Sequence, residues 1–398
     1  MGKNSQYIPR GFKAAGVACG IKKNGNKDLA LIVSSSPAEA AGVFTKNIVK
    51  GHSLKWSMEK IRNNKISAIA INSGNANACV GADGDTDALC MAEITAEFIG
   101  CEKEKVLLAS TGVIGYRLPM EKIKSGITAA YSKLSENSFP DAVSAIMTTD
   151  TFEKEASVKI VLSGKPVTIY GMAKGSGMIH PNMATMIGII LTDANISREL
   201  MQKALNTIVN KSFNRVSVDG DTSVCDKVLF LANAMAENNE INMENEDYFS
   251  FTTALESVAT ALSKMLAKDG EGATKLVEIR VKNSDNTETA HMIANAISKS
   301  PLVKTALFGE DANWGRILTA AGYSGAVFNP ETVDVYIGDI LMCQNGTGMK
   351  FDEQEALSVL KKNEIIITVD LKMGDAEDTM WTCDFSYDYV KINASYRS

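Results

Sequence analysis

Lys174-Gly175-Ser176-Gly177-Met178-Ile179-His180-Pro181-Asn182-Met183-Ala184 is a glycine-rich polar loop, and Thr185-Met186-Ile187-Gly188-Ile189-Ile190-Leu191 after it is a strand-like apolar run that begins on a threonine. A short continuous apolar run bounded by turn residues fits a buried strand. A hydroxyl amino acid that follows a small residue at the mouth of such a strand can attack the carbonyl before it and free its own α-amine as a general base. Ala184 and Thr185 therefore form a candidate cleavage junction, and Thr185 a candidate nucleophile that the chain makes by cutting itself. The competing reading is that Thr185 simply opens a strand, where threonine is common.

Working outward, residues 157–162 and 166–170 flank Ser163-Gly164-Lys165, a hairpin whose second arm leads into the loop and holds it. Residues 248–267 read as a helix ended by Gly270, and Val277, Ile279 and Val281 alternate with charged residues as the next strand. Glu271 falls in the tight turn between them. A further helix is expected from Asp285, capped by its side chain with Glu288 in the answering position. Trp381, Cys383, Phe385 and Tyr387 alternate with Thr382, Asp384, Ser386 and Asp388, the period of a half-buried strand. Short β-like runs alternate with helical stretches throughout, without internal repeats or low-complexity linkers, so the fold class is α/β with no seam.

The 398 residues are 45% hydrophobic, enough for at least one large core and room for two packed units. A net charge of -6, with acids and bases interspersed, gives no electrostatic footprint for a nucleic acid or an anionic membrane, so small molecules or other subunits are the expected partners. The seven cysteines are scattered, odd in number and free of any Cys-x-x-Cys pair, which points away from disulfides and zinc and toward a reducing cytoplasm. No apolar run approaches the roughly 20 residues of a membrane span. Met1-Gly2-Lys3-Asn4-Ser5-Gln6 has Gln6 where a myristoylation signal needs Ser or Thr, and no signal-peptide core follows.

Several chemistries fail on spacing or supply. Asp83-Gly84-Asp85-Thr86-Asp87 opens like a calcium loop but has Ala88 at the sixth position and Ile94 at the twelfth, so it reads as a loop or helix start. The segment 171–177 lacks both the phosphate-loop ending and the dinucleotide spacing. With only His52, His180 and His291, a serine triad or a multi-histidine metal site would consume much of the supply. His291 sits in an expected helix; His180 either lines the site or is a loop imidazole before Pro181. That scarcity favours a base that is not a side chain. A freed α-amine has a pKa of about 7.7 to 8.0, so an appreciable fraction is neutral near pH 7.

Lys174 through Thr185 stands with Ala109-Ser110-Thr111-Gly112-Val113-Ile114-Gly115, Met147-Thr148-Thr149-Asp150-Thr151, Asp269-Gly270-Glu271-Gly272-Ala273-Thr274-Lys275 and Asn393-Ala394-Ser395-Tyr396-Arg397-Ser398. In this order the motifs closely resemble the ornithine acetyltransferase (glutamate N-acetyltransferase) family of arginine biosynthesis, over essentially the full length. Asn72-Ser73-Gly74-Asn75-Ala76-Asn77-Ala78-Cys79 and Gly309-Glu310-Asp311-Ala312-Asn313-Trp314-Gly315-Arg316 also look like family signatures, for which capping or loop packing is an adequate explanation.

The resemblance implies a layered α/β fold of the N-terminal-nucleophile-like type and a cut between Ala184 and Thr185. It gives an alpha chain 1–184 and a beta chain 185–398, interleaved in one folded unit and assembled as two of each. Thr185 would carry the acetyl group, Thr111 and Gly112 would form the oxyanion hole, and Thr148, Lys174, Thr185, Glu271, Asn393 and Ser398 would contact substrate. Ser398 stands where the family most often has Thr and keeps the hydroxyl. A cation such as Lys174 suits an amino-acid carboxylate and Glu271 suits an ammonium or a transferring amine. The implied reaction moves acetyl from N-acetylornithine to glutamate by a ping-pong route, with no metal and no resident cofactor. Acetyl-CoA stands open as a second donor, and a hydrolase on the same scaffold, an aminopeptidase, amidase or acetylornithine deacetylase, is the alternative.

Overall fold

The computed structural model describes residues 6–180 and 186–395. Its strands, in chain order, are β1 (Phe12–Val17), β2 (Leu29–Phe44), β3 (Ile66–Asn75), β4 (Val106–Val113), β5 (Lys154–Leu162), β6 (Lys165–Lys174), β7 (Ile187–Thr192) and β8 (Val216–Ser217). They continue as β9 (Lys227–Ala232), β10 (Leu276–Ser284), β11 (Asp334–Ile337), β12 (Ile340–Gln344), β13 (Thr347–Gly348), β14 (Glu364–Asp370) and β15 (Ala376–Cys383). The first mixed sheet runs β4-β3-β2-β9-β7-β6-β5 with β1 alongside β2, and the second runs β13-β12-β11-β14-β10-β15-β8. Among the described residues no helix is long and apolar enough to cross a membrane.

The apolar run after the loop becomes β7, an inner strand of the first sheet between β9 and β6. It is antiparallel to β6, with Ile187 opposite Lys174, and parallel to β9, with Ile187 opposite Lys227. All six of its residues are buried because its faces enter two different cores. Ile187, Ile189 and Leu191 join the cluster that holds Phe139 and Val143 of the helix Phe139–Ile146. Ile190 joins the cluster formed by the helices Arg198–Lys211 and Glu246–Lys268. A strand covered on both faces has no polar alternation to show, which is why it reads as a continuous apolar stretch. β2 bends at a register shift between Val33 and Ala38, pairing with β3 before it and with β9 after it. In this way β9 and β7 are inserted between β2 and β6, and strands from both sides of residue 185 share one sheet.

The 157–170 hairpin forms as expected: Ser163 and Gly164 take φ of 48° and 74°, the two positive values a tight two-residue turn between twisted strands requires. The helix Glu246–Lys268 is capped by Asn245, whose side chain accepts from the Tyr248 N–H at 3.0 Å, and it ends just before Asp269 and Glu271. The helix Asp83–Ile99 starts at the calcium-loop lookalike.

Two expectations are corrected. The cap of the helix Thr287–Lys299 is Asn286, accepting from Thr289 N–H at 2.8 Å, because Asp285 instead accepts from the Asn286 N–H. The alternating stretch near the C-terminus is a strand only to Cys383; Tyr387–Ser395 is a helix. Thr382 and Asp384, expected to face outward, are buried: Thr382 accepts from Lys304 Nζ at 2.7 Å, and Asp384 accepts from Thr274 and Lys275.

Candidate active site

The cavity opens where the ends of β4 and β6 meet the heads of β7 and β9, a place the parallel and antiparallel registers define together. It has a volume of about 130 Å³, and its lining includes Thr111, Gly112, Thr148, Lys174, Glu271 and Asn393. Six of the anticipated residues, drawn from positions 111 to 393, are thus gathered in one place. Thr185, Ala184 and Ser398 lie outside the described residues; Met186, bonded to Thr185, is buried at the head of β7.

Thr111 and Gly112 end β4, which runs parallel to β3 with Ser73 opposite Thr111 and Gly74 opposite Gly112. Gly112 has φ 129°, and a Cβ there would stand 2.6 Å from Asn75 N, so only glycine lets the two strands approach at this point. The Asn72–Cys79 signature thereby finds its use: Asn75 and Asn77 hold a loop that packs against the Thr-Gly pair, and Ala76 reaches the cavity. Asn313, in the other signature, caps the helix Trp314–Gly322.

Lys174 is a buried cation, not a solvated loop lysine, and its Nζ donates to Thr111 Oγ1 at 3.3 Å. Burial lowers its pKa, while Asp150 and Asp226 pull it back upward. A threonine oxygen that accepts from an ammonium is polarised as a donor, the property an oxyanion-hole hydroxyl needs. Across the cavity, Glu271 is buried in the turn after the helix Glu246–Lys268. Its N–H donates to Ser176 O at 3.0 Å, tying the turn to the glycine-rich loop, and its Oε2 accepts from Asn393 Nδ2 at 2.9 Å. Gly177 packs against the Glu271 carboxylate so closely that a Cβ there would overlap it.

The sequence left Asp150, Lys154 and Asp269 without a role, although the first and third lie in quoted motifs. Their side chains form a buried ion cluster beneath the cavity: Lys154 pairs with Asp150 at 2.7 Å and with Asp269. Asp150 accepts from Gly175 N–H at 2.7 Å and Thr148 N–H at 2.8 Å, and Asp269 accepts from the Thr151 N–H and hydroxyl. Burial alone would raise the Asp150 pKa, but Lys174 and Lys154 outweigh it and hold the carboxylate well below its usual range. One cluster thus fixes three walls, the 148–151 segment, the 174–176 segment and the turn at 269–271. No local pattern could reveal it, because Lys154 and Asp269 stand 115 positions apart.

His180 does not line the cavity; its Nδ1 lies 3.3 Å from Ser217 Oγ, and burial, with Lys299 and His291 nearby, lowers its pKa to about 4. His291 is structural, 2.8 Å from Asp378. Cys225 does line the cavity, but burial raises its pKa to about 12 against the pull of Lys227 and Lys174, so it stays an unreactive thiol. All seven cysteines are free.

Helices cover both faces of a mixed sheet in which β7 and β9 begin beside this cavity, and that arrangement defines a class, the layered α/β proteins. Comparison with known proteins narrows it. The profile of the ArgJ family matches residues 13–398. The arginine biosynthesis bifunctional protein ArgJ of Caldanaerobacter subterraneus subsp. tengcongensis is 51% identical over 395 residues, covering 98% of each chain. ArgJ 1 of Clostridium acetobutylicum is 49% identical over 400 residues, covering 100% of this chain and 98% of its own. The crystal structure of the ArgJ protein of Bacillus halodurans is 45% identical with a TM-score of 0.50, covering 51% of this chain and 96% of that one. The chain belongs to the ArgJ family.

Proposed function

We propose that the enzyme moves the acetyl group of N-acetylornithine to glutamate through an acetyl-Thr185 intermediate, after cutting itself between Ala184 and Thr185. The observation that carries this reading is the convergence of Lys174, Thr111 and Gly112 with Glu271 and Asn393 at the head of the strand that Thr185 precedes. Thr185 Oγ attacks the acetyl carbonyl, its own α-amine takes the hydroxyl proton, and Thr111 and Gly112 receive the charge that develops on oxygen. The protonated amine then returns its proton to the departing ornithine nitrogen. Glutamate enters, its amine attacks the ester, and N-acetylglutamate leaves with Thr185 regenerated. Buried Lys174 and Glu271 offer one cation and one anion to an amino-acid substrate, and excluding water favours an amine acceptor over hydrolysis.

The half-length coverage of the Bacillus halodurans crystal chain supports the cut: a polypeptide matched almost end to end by about half of this chain has the size of one cleavage product. The products 1–184 and 185–398 remain together as two of each chain, in a reducing cytoplasm that suits free cysteines. The reaction asks for no cofactor, and acetyl-CoA enters only as a second acyl donor.

Intact-mass spectrometry under denaturing conditions tests the reading. Wild type is expected as two fragments meeting at Ala184 and Thr185, with acetyl transfer to glutamate; Thr185→Ala is expected as one inactive chain. An uncut, active alanine variant would overturn both the cleavage and the nucleophile. Acetylornithine hydrolysis that is indifferent to glutamate would make the enzyme a hydrolase instead.

A further inference from the structure

Four apolar residues of the cavity lining, Ala76, Ile114, Val224 and Cys225, have no part in the reaction described above. With Ala78 they form a small hydrophobic cluster of their own, separate from the large clusters that hold the sheets and helices together. Ala76, Val224 and Cys225 are buried, and Ile114 is half-buried against them. Ile114 stands just past the end of β4, two residues after Gly112, so the cluster begins beside the Thr111 and Gly112 pair. It makes one continuous apolar patch in a lining whose other side chains are mainly polar.

Three chain segments meet in this patch, and hydrogen bonds fasten them together. Ala76 N–H donates to Val113 O and Gly115 N–H to Ala78 O, both at 2.9 Å. The Cys225 thiol donates to Ala76 O at 3.5 Å, and Gly51 N–H donates to Val224 O at 2.9 Å. Gly51 also packs behind the patch: a Cβ there would stand 3.2 Å from Ala76 O and 3.3 Å from Cys225 Sγ. A patch tied at each segment and backed by chain cannot recede for a larger group without giving up contacts and hydrogen bonds. It is a fixed wall, and Cys225 serves in it as a small apolar side chain.

We propose that this wall is the acyl subsite: Ala76, Ile114, Val224 and Cys225 hold the alkyl part of the transferred acyl group and select acetyl over longer chains. This rests on the reading in which Thr111 and Gly112 hold the acyl oxygen. The alkyl carbon is bonded to the same carbonyl carbon as that oxygen, so it must lie close to the same pair. The charged and polar ends of an amino acid belong with Lys174, Glu271, Thr148 and Asn393. The methyl of an acetyl group needs no hydrogen bond, and the apolar patch beside Thr111 and Gly112 takes it out of water without leaving a polar group unpaired. Val224, the largest of the buried side chains in the wall, sets its reach.

The test compares N-acetylornithine with N-propionylornithine as donors to glutamate, following ornithine release, in wild type, Val224→Ala and Cys225→Ala. One methylene in a fitted apolar pocket changes kcat/KM by about 10- to 200-fold, so wild type is expected to prefer acetyl over propionyl by a factor in that range. Val224→Ala is expected to shrink the preference about tenfold by making room for the extra methylene, and Cys225→Ala to shrink it less. Nα-acetyllysine, lengthened in the side chain instead of the acyl group, is expected to keep its wild-type rate relative to N-acetylornithine in both variants. An acetyl preference that neither variant moves overturns the acyl subsite. So does a change confined to the acetyllysine ratio, which would assign the wall to side-chain methylenes. Thermal melting reports folding; should Val224→Ala fail to melt cooperatively, Cys225→Ala decides, and an unmoved preference overturns the subsite. Wild type that transfers no acetyl group from N-acetylornithine overturns the acetyl-transfer reading itself.

Discussion

Gly177 is placed by chemistry as much as by backbone shape. A methyl group at this position would overlap the Glu271 carboxylate, which is held at 2.9 Å by Asn393. Gly177→Ala is therefore expected to turn Glu271 away from the cavity while leaving the fold intact. Losing one hydrogen bond to a charged group should raise KM for the amino-acid substrate by about tenfold to a hundredfold, with a smaller effect on kcat. Steady-state kinetics with N-acetylornithine and glutamate check it, and unchanged KM values would mean that Glu271 does not hold substrate. Glu271 was legible as a candidate through the family resemblance of the motif it stands in. The close fit of Gly177 against it was not, since the two residues are 94 positions apart.

At the scale of elements, the cluster of Lys154 on β5 with Asp150 and Asp269 fastens a hairpin, a loop and a helix terminus to one another. Lys154 is fully buried, so Lys154→Met would leave two buried carboxylates, of which Asp150 still has Lys174 as a neighbouring cation. Removing one partner of a buried ion pair costs about 3–5 kcal/mol, and denaturant unfolding of the variant is expected to register a loss of that size. A smaller loss would mean that water reaches the cluster. Each element was readable by itself: the Ser163-Gly164 turn by its residues, the helix Glu246–Lys268 by its period, β7 by its unbroken apolar run. Their ends were less so. The Trp381 alternation is shared by a strand and the segment that leaves it, and Asn286 wins the cap from Asp285 through geometry that composition does not encode.

Across the whole molecule, the order β2-β9-β7-β6 places two strands from beyond residue 185 between strands from before it. β7 pairs with β6 along its full length, and β9 pairs with β2 over residues 39–44. A cut at 184 and 185 would therefore leave two chains joined by continuous ladders and shared apolar cores. The processed enzyme is expected to elute as one species in native gel filtration and to part into two only in denaturant. Separation under native conditions would contradict the shared sheet.

The sequence by itself determined the α/β class, the family and most of the residues around the cavity, because hydrophobic period, turn chemistry and ordered motifs are written in neighbouring positions. It also singled out the Ala184 and Thr185 junction, through a small residue, a hydroxyl and a buried strand in succession. Only the tertiary structure decided that Lys174 is buried against Thr111, that Lys154 joins Asp150 to Asp269, that His180 turns to Ser217, and that Val224 and Cys225 pack with Ala76 into one wall of the cavity. The physical reason is the same for all four: burial and pairing between positions far apart in the chain depend on strand register and helix placement, which the whole core sets at once.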